Sequence, residues 1–193
     1  MKIIRFSALF LTLTLSMPSV AQTVATQTAE APANVDPARV FGNMIRTAER
    51  EIVGLADAMP AEKYGFAPAA GLFAAGQSTE FKGVRTFAQQ VAHVASSNYE
   101  YLQAMGFEKD KDFAAIEKLT TKAEALQALK DSFAAAEKAA ATITPQNAFE
   151  GLGPKKTATR ASLAAAIAWH TMDHYGQLVV YGRMNGIVPP QSR

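Results

Sequence analysis

Ala168-Trp169-His170-Thr171-Met172-Asp173-His174-Tyr175-Gly176-Gln177-Leu178-Val179-Val180-Tyr181 is the stretch on which both the fold and the chemistry turn. It lies inside a run from about Thr159 to about Asn185 that contains no proline. Gly186 follows as a C-cap, and Pro189-Pro190 prevents continuation. The run therefore predicts one long helix. It is apolar almost all round, at Leu163, Ala166, Ile167, Trp169, Leu178, Val179, Val180 and Tyr181. A helix with so little polar face is expected to be largely buried, with Trp169 in the core. Such a helix needs other elements wrapped around it.

His170 and His174 are four residues apart, so they share one face, roughly 5–6 Å apart at Cβ. Leu163, Ile167, Gln177 and Tyr181 fall on the same stripe, which makes it an inward face with polar groups only in the middle. Two inward imidazoles from one turn can hold a zinc-like ion, and a third ligand from elsewhere leaves a position open for water. The bland alternative is a pair of core histidines, each satisfied by a backbone carbonyl. Unpaired inward imidazoles would be costly. Asp173 lies roughly 60–80° round the helix, as an orienting carboxylate or a solvated one. Gln177, one turn beyond His174, either orients a ligand or caps Tyr181 or a loop carbonyl. Tyr175 points elsewhere and is expected to pack.

Outward from this run, three more helices are legible. Asp36-Pro37 reads as an N-cap with proline in the first turn. Phe41, Met44, Ile45, Ala48, Ile52 and Leu55 then follow at helical spacing to about residue 59, before Pro60. Thr86-Phe87-Ala88-Gln89 has capping-box spacing and opens a helix to about Met105. Thr121-Lys122-Ala123-Glu124 offers a second such box, opening an alanine-rich helix to about Ala141 with Leu126, Leu129, Phe133 and Ala136 inward. Between the first two helices, residues 60–85 carry repeated glycine and proline, and Tyr64, Phe66, Phe73 and Phe81 predict a packed segment that could cover the mouth of a bundle. No strand is expected. The fold class is all-α, a four-helix bundle over residues 36–193.

The third histidine, His93, fits the wheel poorly. The apolar face of its helix is Phe87, Val91, Val94, Ala95, Leu102 and Met105, and His93 sits off it beside Gln89, Gln90, Ser97 and Glu100. By periodicity it is a surface residue. It joins a site only if this polar stripe lines a cleft.

The N-terminus has a different grammar. Met1-Lys2-Ile3-Ile4-Arg5 is basic, Phe6 to Leu15 mostly apolar, and Ser19-Val20-Ala21 ends in small residues. That predicts a signal peptide over residues 1–21, then a flexible leader over 22–35, and export to the periplasm or medium. The apolar run is shorter than the about 20 residues a spanning helix needs. Removing it takes away Lys2 and Arg5 and no acid, so the formal net charge of +2 falls to zero. A neutral chain without a concentrated basic face does not predict nucleic acid or an anionic membrane as partner. A small-molecule substrate or ligand and a second copy of the chain are the candidates. The chain has no cysteine, which excludes disulfides, thiolate ligands and a cysteine nucleophile.

Glu80-Phe81-Lys82-Gly83-Val84-Arg85-Thr86-Phe87, leading into Gln90-Val91-Ala92-His93-Val94-Ala95, resembles part of a known family when taken with the Trp169–Tyr181 run and the ending Asn185-Gly186-Ile187-Val188-Pro189-Pro190. The resemblance is to the DinB-like superfamily of metal-dependent four-helix-bundle proteins, in a branch often found with export signals, and it covers about residues 36–193. It implies a divalent metal ion, zinc or nickel, bound by one histidine of the second helix and two of the last. Those positions are His93, His170 and His174. Some relatives transfer low-molecular-weight thiols, and others are described as hydrolases. Export disfavours the thiol reading, so a metal-dependent hydrolase is expected, with Glu100 as one candidate base. The alternatives are a protein that holds metal or a small ligand without turnover, a thiol S-transferase, and a haem b bundle using Met44, Met105, Met172 or Met184. Methionines at these spacings are more often core filling.

Overall fold

The computed structural model describes residues 35–193. The expected signal peptide, and the leader up to residue 34, lie outside the described residues. Helix α1 spans Pro37–Ala58, α2 Phe87–Ala104, α3 Phe113–Ile116, α4 Lys122–Ala140 and α5 Arg160–Met184. The four long helices fall where their caps and periodicity place them, and they form an all-α bundle. Asp36 accepts from Ala38 N–H at the start of α1, and Thr86 and Gln89 form a full capping box on α2. Thr121 caps α4, but Glu124 takes the Thr121 hydroxyl at 2.6 Å instead of reaching back to the backbone. At the end of α5, Gly186 at φ 77° allows Ile187 N–H to reach Gly182 O and Gly186 N–H to reach Arg183 O, the Schellman arrangement.

Packing contacts place α1 against α4 and α5, and α2 against the same two. Helices α1 and α2 are therefore diagonal, as are α4 and α5. The connection after α1 has to cross the bundle, which explains its length. It is anchored where it meets α2. Phe87 N–H donates to Phe66 O and Ala88 N–H to Tyr64 O, both at 2.8 Å, so two otherwise unpaired donors of the first turn are satisfied by this connection. Tyr64 is fully buried, donates its hydroxyl to Ala56 O at 2.7 Å and packs edge-on against Phe87. Phe66 meets Tyr181 edge-on, while Phe73 and Phe81 stack on each other.

Three expectations need correction. Strands do occur: Gly151–Leu152 (β1) pairs antiparallel with Ala158–Thr159 (β2) in the other crossover, a two-residue ladder too short to show as alternation. Trp169 is not in the core but 60% exposed, and Met172, Val180 and Met184 share its outer face of α5. The most enclosed helix is instead α2, whose buried residues include Gln90, Ser96, Ser97 and Asn98. It is covered on its remaining side by α3. Nor does methionine chiefly fill the core, since among the described residues Met44, Met172 and Met184 are exposed and only Met59 and Met105 are buried in it. No helix among the described residues is long and apolar enough to cross a membrane.

Candidate metal centre

The inward face of α5 is built as its spacing predicts except at Gln177, which is exposed. Ile167 and Leu178 are fully buried and Tyr181 nearly so, and they seat His174 in the same layer, itself 7% exposed. His170 lies one turn earlier and is half-buried. Its Nε2 is 3.2 Å from Nε2 of His174. From the facing helix, His93 brings its ring to 4.8 Å from that of His174 and 5.3 Å from that of His170, centroid to centroid. One nitrogen from each of the three lies within 4.8 Å of the other two. The structure thus gathers His93, His170 and His174 at one point.

His93 is not the surface residue its wheel position implies. The polar stripe of α2 does line a cleft, but residues 60–85 are not what covers it. The connection between α2 and α4 does so, placing Glu117 at the end of α3 with Oε1 2.7 Å from His93 Nδ1. Segment 60–85 contributes at its end, where Tyr181 donates its hydroxyl to Arg85 O at 3.1 Å. Glu117 could not be found from periodicity, because it lies 24 residues from His93 and outside any long helix. Gln90, quoted only as a neighbour on the polar stripe, is 3% exposed, and its Oε1 is 2.6 Å from His174 Nδ1. Its Nε2 donates to Gln177 Oε1 at 2.9 Å. Gln177 thus supports the site through Gln90, and the Tyr181 hydroxyl is bonded elsewhere. Asp173 is exposed and 3.5 Å from Gln177 Nε2. Tyr175 packs against the core. Glu100 is exposed and two turns from His93, about 10 Å along the helix axis. It is out of reach as a base.

Burial pushes the His174 imidazole down to about 4, and the neighbouring His170 and His93 act in the same sense. His170 is lowered too, by burial first and His93 second. Both rings are therefore neutral at neutral pH and keep a nitrogen lone pair for a ligand. A tetrahedral ion with Zn–N bonds of about 2.0–2.1 Å separates its ligand nitrogens by about 3.3 Å. The 3.2 Å between His170 and His174 matches that edge. His170 Nδ1 is buried and has no hydrogen-bond partner. Three histidine nitrogens within 4.8 Å of one another, two of them on rings kept neutral by burial, fit a divalent ion.

The family comparison agrees with this geometry. The chain matches the family model of the DinB superfamily over residues 44–178, which include all three histidines, and it belongs to that superfamily. Compared with curated proteins, it finds no match.

Proposed function

We propose that this DinB-superfamily chain binds one divalent ion, zinc or nickel, through His93, His170 and His174, and that it is an exported metal-dependent hydrolase acting on a small-molecule substrate. The observation that carries the metal reading is the convergence of three imidazoles from two helices, two of them neutralised by burial. A divalent ion in such a site supplies Lewis acidity and makes a water or thiol at an open position acidic near neutral pH. The protein's own contribution is orientation. Glu117 and Gln90 each accept from the outer ring nitrogen of a histidine, which fixes the ring and raises its basicity. The basic and apolar N-terminal segment supports export, with the mature chain starting near Gln22 and acting as a domain from about residue 36.

A second reading has its own support. The carboxylate bonded to the site, Glu117, is already committed to His93, Glu100 is remote, and Asp173 is exposed with Gln177 as its polar contact. A site whose bonded carboxylate is used to hold a ring is suited to holding a metal or small ligand without turnover, and the thiol S-transferase reading, which needs no base if the thiol is itself acidified, stays behind it. Elemental analysis of full-length protein purified without added metal separates binding from non-binding. The wild type is expected to carry about one ion per chain and His174→Ala to carry none. A wild type that stays metal-free even after incubation with zinc and nickel would overturn the proposal. Metal-loaded protein tested on ester, amide and thiol–electrophile panels then distinguishes hydrolase, transferase and passive binder.

A further inference from the structure

The four long helices do not share exposed apolar surface evenly. Helices α2 and α4 leave no large hydrophobic side chain in water, whereas α5 leaves Trp169, Met172, Val180 and Met184, and α1 adds Met44. Trp169 and Met172 also wall an apolar groove of about 570 Å³ against Met44 and Ala48, so the patch continues across the α1–α5 seam. Contiguous apolar patches beyond about a few hundred Å² are rare on monomers and mark places where something docks.

The charges and sizes along α5 say what docks. Between Trp169 and Met184 the chain holds one acidic and one strongly basic residue, Asp173 and Arg183. Both are exposed, and neither has an ion-pair partner among the described residues. They lie at equal distances either side of Leu178, about 7.5 Å along the axis at 1.5 Å per residue. Met172 and Met184 are spaced evenly about the same point, and so are Gly176 and Val180. Around the helix, Asp173 and Arg183 stand about 40° to either side of Trp169, and Gly176 and Val180 about 20° to either side. The exposed stripe is therefore complementary to itself turned end over end. A second α5 laid antiparallel on the first brings acid level with base, methionine with methionine and glycine with valine. A parallel copy would set Asp173 beside Asp173. Gly176 supports the same reading. Glycine weakens a helix interior, and no atom lies within 4 Å of where a Cβ on Gly176 would stand. Nothing among the described residues uses that space, whereas a facing Val180 would fill it.

We propose that two copies of this chain associate through the outer face of α5, antiparallel about a twofold axis level with Leu178, with Asp173 of each copy paired to Arg183 of the other. Such a contact is isologous and closes at two copies. One helix face with a flanking methionine falls short of the about 800 Å² per partner of a standard interface, so the dimer comes apart on dilution. In the dissociated chain the face is open to water, and there the loss of Trp169 costs the fold little. The proposal does not rest on the metal reading.

The test is sedimentation equilibrium of the full-length, metal-free chain over a concentration series. Fluorescence of Trp169, the one tryptophan of the chain, is read on the same samples. The mass should rise from 20.6 kDa to twice that and stop, and acrylamide quenching of Trp169 should fall as it rises. Asp173→Arg or Arg183→Asp alone sets like charges level and should weaken association at least about 10-fold, and the double exchange should recover most of the loss. Val180→Arg, in the middle of the stripe, should weaken it as much. If a charge variant fails to fold, as read by circular dichroism, Val180→Arg and the wild type decide. A monomer at every concentration would overturn the proposal. So would a dimer indifferent to these variants, which places the contact elsewhere, residues 1–34 included. A monomer whose Trp169 is shielded from acrylamide would mean that the chain covers this face itself, which also ends the proposal. A double exchange no tighter than either single one would sink the antiparallel register and the proposal with it.

Discussion

Helices α2 and α5 carry the site between them, and their burial is the reverse of what their composition suggests. Helix α5 is apolar almost all round, yet Trp169, Met172, Val180 and Met184 face outward. Helix α2 carries a polar stripe, yet Gln90, Ser96, Ser97 and Asn98 are buried in it. The difference is one of neighbours. Each packs on two long helices, α2 on α4 and α5, and α5 on α1 and α2, but α2 is also roofed by α3 and by the chain that leads to Glu117. Burial is set by where a helix sits in the bundle, and an element can be polar and enclosed even where Ser96 Oγ and Asn98 Oδ1 find no partner among the described residues, because its other polar groups are bonded. Asn98 donates to Ser132 Oγ at 3.1 Å, and Gln90 is bonded at both ends of its amide.

The strongest way to break this contrast is to truncate one large aromatic on each helix. Phe87 is fully buried and Trp169 is 60% exposed. Phe87→Ala is expected to cost about 3–5 kcal/mol, and Trp169→Ala less than about 1 kcal/mol, read from urea unfolding. Equal losses would mean that the outer face of α5 is covered in solution. The next effect in size concerns the roof over α2. Glu117→Gln keeps the side-chain shape but replaces a carboxylate acceptor, and it should weaken zinc binding about 10-fold or more with little change in stability. Zinc affinity equal to that of the wild type would show that the α2–α4 connection merely lies over His93. Smaller again, Asn98→Ala should cost about 1 kcal/mol, the net worth of one buried hydrogen bond. No loss would mean that the polar stripe of α2 contributes nothing to its enclosure.

The smallest effect gives a baseline away from both helices. Glu49 of α1 is raised to about 6, by burial first and then by the carboxyl of Glu137. Its ordinary value is 4.5. Between these two values the folded chain keeps a proton that the unfolded chain has released. Its contribution to stability is therefore present below about pH 4.5 and lost as pH rises through about 6. Glu49→Gln should flatten that part of the stability–pH curve, checked by urea midpoints at acid and neutral pH. An unchanged slope would place the titration elsewhere.

Much of the fold was legible because it is written in local chemistry. Asp36-Pro37, the Thr86–Gln89 box, Thr121, Pro60 and Gly186 act within one turn of chain, and each marks a helix end observed in the structure. The pairing of His170 with His174 is equally local, since four residues of helix bring them together whatever the rest of the chain does. The candidate site was legible only in part. His93 could be joined to the pair by resemblance to the family, while its own periodicity argued for the surface. The β1–β2 pair and the exposure of Trp169 could not be read from pattern, because a two-residue ladder has no period and an apolar wheel does not say which side has a neighbour.

The sequence by itself determined where the four long helices begin and end, that one of them presents two imidazoles on a single face, and that no cysteine of the chain serves as ligand or nucleophile. Those are consequences of covalent spacing and of caps that act over a few residues. Only the tertiary structure decided that α1 and α2 lie on a diagonal, that α3 and Glu117 close over His93, and that Gln90 holds His174. Each of these depends on segments far apart in the chain meeting in space, and the energy that brings them together comes from the burial of the shared core, which no short window of sequence contains.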